Sequence, residues 1–139
     1  MKQELLAMFR SEMNEARADY RAGALEQSFH HLERAHILGQ QFLTKHLLTH
    51  WWMLKIGIRR SDGREVAGQI MRLFASVPGY LFGWVPKGNT GGANVSPIKP
   101  MPIPNEFAAV LADFNVARDV VIRMLFWIAA GTLAVLAMA

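Results

Sequence analysis

HLERAHILGQQFLTKHLLTHWW, residues 31–52, decides how this chain is read. Leucines and histidines recur in it every three or four positions on either side of Gly39. That is the end of one amphipathic helix and the body of the next. Four of the five histidines fall in this stretch, among leucines. An imidazole surrounded by aliphatic side chains is costly unless its ring nitrogens are occupied. Backbone carbonyls, neighbouring side chains or a metal ion can each fill that role, and the functional question is which one does.

Working outward, Leu5, Phe9, Met13, Ala16 and Tyr20 mark a first helix that Gly23 breaks. Leu25, Phe29, Leu32 and His36 share a stripe on a second helix ending near Gly39. Leu43, Leu47, His50 and Leu54 do so on a third, from about Phe42 to Ile58. RRSDGRE is a polar turn in which Ser61 or Asp62 is placed to cap a fourth helix. Val66, Ile70, Leu73, Phe74 and Val77 are expected to carry its buried stripe as far as Pro78. No strand pattern competes. The expected fold class is all-α, with residues 1–77 forming an antiparallel helical bundle or stacked helical hairpins.

PGYLFGWVPKGNTGGANVSPIKPMPIP, residues 78–104, holds all six prolines and five of the eleven glycines. It is expected as an irregular loop without a long helix. Tyr80, Leu81, Phe82, Trp84 and Val85 are too apolar for a solvated linker, so the loop should pack on the bundle or lie at a membrane interface. GNTGGANVS lacks the spacing of a phosphate-binding loop and follows no strand. The expectation there is a tight turn in which Asn89 and Asn94 bond backbone groups.

Residues 105–139 are expected as a C-terminal helix. Its last 20 residues, VVIRMLFWIAAGTLAVLAMA (about 120–139), carry one charge, Arg123, and have the length of a membrane span. The alternative, a core helix, fits poorly, because so small a domain has little room for a helix apolar all round. Arg118 lies just before the span, Arg123 within a turn of its start, and no charge follows, so the bulk of the chain is expected on the cytosolic side of the cytoplasmic membrane. The amino terminus has no apolar run of signal-peptide length and fits that location. Tyr80, Phe82, Trp84, Arg118, Arg123 and Trp127 are the candidate membrane or partner contacts.

Composition agrees. Hydrophobic residues make up 52% of the chain and charged residues only 19%, against about 25% in ordinary soluble domains. Net charge is +4, concentrated between Lys45 and Lys99, where eight basic residues face only Asp62 and Glu65. A basic middle beside an apolar tail suits membrane lipid, and no zinc finger or RNA-binding motif supports a nucleic-acid partner. Cysteine is absent, so a metal would have to be held by histidine and carboxylate.

The candidate ligands follow from spacing. His46 and His50 form H-x-x-x-H, which puts two imidazoles on one side of a helix. Glu33 and His36 form E-x-x-H, the i, i+3 arrangement of carboxylate-bridged metal proteins, although only one copy is present. Glu12 lies at the inward edge of the first helix. Glu12, Glu33, His36, His46 and His50 are therefore the expected metal residues, for zinc, iron, copper(II) or manganese. The ordinary alternative is three core histidines, each bonded to its own carbonyl or carboxylate. His30 and His31 read as rim residues. Leu47 stands where a metalloprotease would have its glutamate, and no nucleophile triad or nucleotide fingerprint is present, so an enzyme is the least supported reading.

Two resemblances stand beside this reading. DYRAGALEQSFHHLERA is similar to a tetratricopeptide repeat, with Tyr20, Gly23, Ser28 and Ala35 at its marked positions. It covers one repeat, lacks the closing proline, and implies hairpin geometry alone. YRAGALEQSFHHLERAHILGQ, HLLTHWWMLKIG and GWVPKGNTGGANVSPIKPMPIP resemble an uncharacterised bacterial domain-of-unknown-function family with LERAH-x-LGQ, H-x-x-x-H-W and GNTGG-x-NV motifs. The likeness runs from about Phe9 to Leu111. It implies no activity, but it puts Glu33, His36, His46 and His50 inside motifs. The apolar tail after Phe114 departs from the family pattern and implies a membrane-tethered or complex-bound version. The function expected is a membrane-anchored, metal-binding helical domain for metal handling or support of a metal-dependent membrane system. The alternative is a non-catalytic accessory subunit docked on a larger membrane complex.

Overall fold

Six helices, in a computed structural model that describes residues 2–138, account for nearly all of the regular structure: α1 (Lys2–Ala22), α2 (Leu25–Gly39), α3 (Leu43–Arg59), α4 (Gly63–Phe82), α5 (Asn105–Ala108) and α6 (Val116–Met138). No strand occurs among the described residues. Short turns make sequence neighbours into spatial neighbours, so α1 pairs with α2, α2 with α3 and α3 with α4, as two stacked hairpins. The apolar core is built by Leu5, Phe9, Met13 and Ala16 of α1, Leu32, Ala35, Ile37 and Leu38 of α2, and Met53 and Ile56 of α3. Ser28 closes the first hairpin by donating to the Ala16 carbonyl at 2.7 Å. Asp62 caps α4, accepting from the Glu65 amide at 3.0 Å.

Two expectations for α4 are corrected. The helix does not stop at Pro78 but continues to Phe82. Proline there removes one backbone bond, but the carbonyl it frees belongs to Phe74, which is 79% exposed, so water can satisfy it. Gly83 then ends the helix in the left-handed conformation (φ +78°). The Trp84 amide donates to the Gly79 carbonyl at 2.8 Å.

The second correction concerns which face is buried. Glu65, Gln69, Arg72, Ser76 and Gly79 point inward, whereas Ile70, Phe74 and Val77 are exposed. The helix is amphipathic, as its periodicity predicts, but it is turned polar side in. Its inward neighbours are histidines and loop backbone, and these need hydrogen-bond partners more than they need apolar contact.

The C-terminal segment also divides differently. Residues 105–114 join the core through Phe107, Val110, Leu111 and Phe114. Arg34 ties the short α5 to α2 by a 2.7 Å bond to Glu106, with its guanidinium over the Phe107 ring. The long helix begins only at Val116, where the Asn115 side chain accepts from the Arg118 amide at 3.0 Å. Val116 and Val120 lie against Gly83, and Arg123 stacks on Tyr80 at 3.8 Å. No residue of α6 is buried.

Candidate metal centre

His36 of α2 and His46 and His50 of α3 meet at the polar face of α4. All three are buried, and their ring centroids form a nearly equilateral triangle of 4.6, 4.7 and 4.6 Å. The Nε2 atoms converge: His36 and His50 are 3.2 Å apart, and His50 and His46 are 2.9 Å apart. The three residues lie close enough to hold one metal ion.

The outward nitrogens fix the chemistry of the inward ones. His36 Nδ1 lies 2.8 Å from the Asn89 carbonyl, which can only accept, so Nδ1 carries the proton. His50 Nδ1 lies 2.7 Å from Gln69 Oε1. The Gln69 amide is oriented by its own nitrogen, which donates to Glu65 Oε1 at 2.6 Å and to the Gly91 carbonyl at 2.9 Å. Its oxygen is therefore the group facing His50, and His50 Nδ1 is also protonated. A neutral imidazole carries one proton, so the Nε2 lone pairs of His36 and His50 face each other with no hydrogen between them. His46 has a buried Nδ1 without a partner.

Burial keeps the group neutral. It holds His46 down to about 4 and His50 to about 3, the latter helped by the charge of a neighbouring imidazole. His36 is held well below the ordinary range, first by burial and then by His46 and His50. Neutral imidazoles with an unprotonated Nε2, as His36 and His50 are here, are the form in which histidine ligates a metal.

The surrounding shell comes from α4 and the glycine loop, neither of which the spacing of ligand types singled out. Glu65 accepts from Gln69 through one oxygen and from the Ala93 amide (3.0 Å) through the other, and Gln69 accepts from His50. This carboxylate–amide–imidazole chain orients the ring and raises its basicity. The sequence sign of it was the polar stripe Glu65, Gln69, Arg72, Ser76, visible at helical spacing. In the loop Asn89 accepts from the Gly91 amide at 2.9 Å and donates to the carbonyls of Ser96 and Lys99, making the expected tight turn. Asn94 is exposed. Gly91 (φ +85°) lies directly on His36, where an added Cβ would meet the ring at 2.7 Å.

The two candidate carboxylates stand elsewhere. Glu12 is held by His31 Nδ1 (2.7 Å) and Arg34 Nε (2.8 Å), on the other side of α2. Glu33, half-buried and with its carboxyl pushed up by that burial, approaches His30 at 3.9 Å. Neither belongs to the group of three. Of the contact candidates, Phe82, Trp84 and Trp127 are exposed, Tyr80 is under Arg123, and Arg118 bonds the Asp113 carbonyl.

A cavity of about 170 Å³ opens beside the triad. It is lined by His36, His46 and His50, by Gln40, Arg72 and Asn89, and by apolar residues that include Met71, Trp84 and Ile98. Arg72 is buried among carbonyls, donating to Val95 at 2.7 Å and Gly68 at 3.3 Å.

Fold and site together define an all-helical domain organised around a buried histidine triad. Residues 3–111 match the model of a family described as a protein of unknown function (DUF3703), and the chain belongs to that family. The matched span contains the whole triad and its shell and ends before α6, which is long and apolar enough to cross a membrane. No curated protein and no solved structure matches the chain.

Proposed function

We propose that this protein is a membrane-anchored helical domain that binds one metal ion through His36, His46 and His50, for metal handling or support of a metal-dependent membrane system. The observation that carries this reading is the pair of Nε2 lone pairs 3.2 Å apart, each fixed by a protonated Nδ1 on an acceptor. Two such lone pairs repel, and a cation between them converts the repulsion into ligation. Metal–nitrogen bonds of 2.0–2.1 Å in tetrahedral geometry put ligand nitrogens roughly 3.3 Å apart, close to the separations found.

Three imidazoles without carboxylate or thiolate suit zinc, copper(II) or iron better than manganese. Anchoring rests on α6, apolar along its length and unburied, with Arg118 and Arg123 at its start. The charge rule then puts the triad on the cytosolic side. A second reading, an accessory subunit on a larger membrane complex, is supported by the exposed apolar side of α4 next to α6.

Elemental analysis of the full chain, extracted in detergent without chelator, tests the proposal. Metal near one equivalent, lost in a His36→Ala/His50→Ala double variant, is expected. Protein that neither retains nor takes up zinc, copper(II) or iron would overturn it and leave the accessory reading.

A further inference from the structure

The triad supplies three donors and no more. Both oxygens of Glu65 are engaged, by Gln69 and by the Ala93 amide, and Glu12 and Glu33 stand away from the group. A tetrahedral ion held by three imidazoles has a fourth position, and the space adjoining all three rings is the 170 Å³ cavity. The charges around that space do not cancel. A divalent ion with neutral ligands brings two positive charges, Arg72 brings a third on the cavity wall, and Glu65 offsets only one. The rest of the wall carries no charge: Gln40 and Asn89 are among its polar groups, and Met71, Trp84 and Ile98 form an apolar rim open to solvent.

We infer that the cavity between the histidine triad and Arg72 is a binding site for a small monoanion carrying a short apolar group, with the anionic head on the metal's fourth position and the apolar part against Met71, Trp84 and Ile98. This rests on the metal reading above and adds the class of ligand. Size sets the limit. An apolar cavity of about 150 Å³ accommodates benzene, so this one admits a head group and a few carbons. Arg72 has five N–H donors, of which two are placed on carbonyls, leaving others for the anion. With its guanidinium fixed by the Val95 and Gly68 carbonyls, it is a preorganised partner and loses little freedom when the anion arrives.

The test uses the full chain in detergent, loaded with cobalt(II), whose visible bands report the ligands of the ion. Titration with azide, formate, acetate and butyrate is expected to change those bands saturably. Among the carboxylates, affinity should rise as the chain lengthens, by up to about fourfold per methylene buried. Arg72→Met should weaken butyrate at least tenfold while cobalt stoichiometry holds at one. Arg72→Lys, which keeps the charge, should recover part of the loss. Cobalt bound with bands that no anion alters would overturn this inference and leave the metal site standing, as would butyrate binding no tighter than formate. Failure of cobalt, zinc, copper(II) and iron alike to bind would overturn both.

Discussion

Gly91 holds His36 in place as closely as any hydrogen bond does. Its backbone at φ +85° is costly for a residue with a Cβ, and that Cβ would land 2.7 Å from the imidazole. Gly91→Ala is therefore expected to cost about 1–3 kcal/mol of stability, and to lower metal affinity at least tenfold by turning the His36 ring. Thermal melting and competition with a metal chelator measure the two effects. The histidines also set a pH dependence for the metal-free protein. Their folded pKa values lie below the unfolded value, so between the two the unfolded chain binds more protons, and stability falls as pH falls. At pH 5, His46 (about 4) and His50 (about 3) are still neutral in the folded state. Each then costs about 2 kcal/mol relative to neutral pH. The melting temperature of the metal-free protein should hold above pH 7 and fall steadily from about pH 6.5 towards pH 4. A flat profile across that range would contradict the burial of the triad.

At the scale of one element, α4 carries the argument, because its two faces do opposite things. The inward face orients His50 through Gln69 and Glu65. Partners of metal-bound imidazoles are worth about 10–100-fold in metal affinity, so Gln69→Leu should weaken binding by that factor. On the outward face Phe74 is 79% exposed. Phe74→Ser should leave metal stoichiometry unchanged and move stability by no more than about 0.5 kcal/mol. If helical periodicity had placed Phe74 in the core, the same substitution would cost several kcal/mol, about 3–5 for a buried phenylalanine. Chemical denaturation of the two variants side by side distinguishes these geometries.

For the whole molecule, the stacked hairpins and α6 are separable. The core runs from Leu5 to Phe114, and α6 buries no residue. A chain ending at Asn115 is expected to fold, keep one equivalent of metal and melt within a few degrees of the full chain, while no longer needing detergent for extraction. Loss of metal on truncation would show that α6 supports the site. If the truncated protein still sedimented with anionic vesicles, the contact would lie on the exposed Phe74, Leu81, Phe82 and Trp84. Phe74→Asp and Trp84→Asp should then release it.

Much of this was present in the chain itself. The first three helices and the start of the fourth, a cap at Ser61 or Asp62, the three inward histidines and the apolar character of α6 follow from local spacing, since a 3.6-residue period and a capping side chain act within a few residues. Periodicity states that α4 has two unlike faces but not which one meets the core. That depends on what α2, α3 and the loop bring opposite it. The same holds for Glu12, drawn to His31 and Arg34, and for Gln69 and the Asn89 carbonyl, which reach the imidazoles from 19 and 53 residues away. Such pairings are chosen by which buried polar groups need partners once the helices have packed, and only the tertiary structure contains that information.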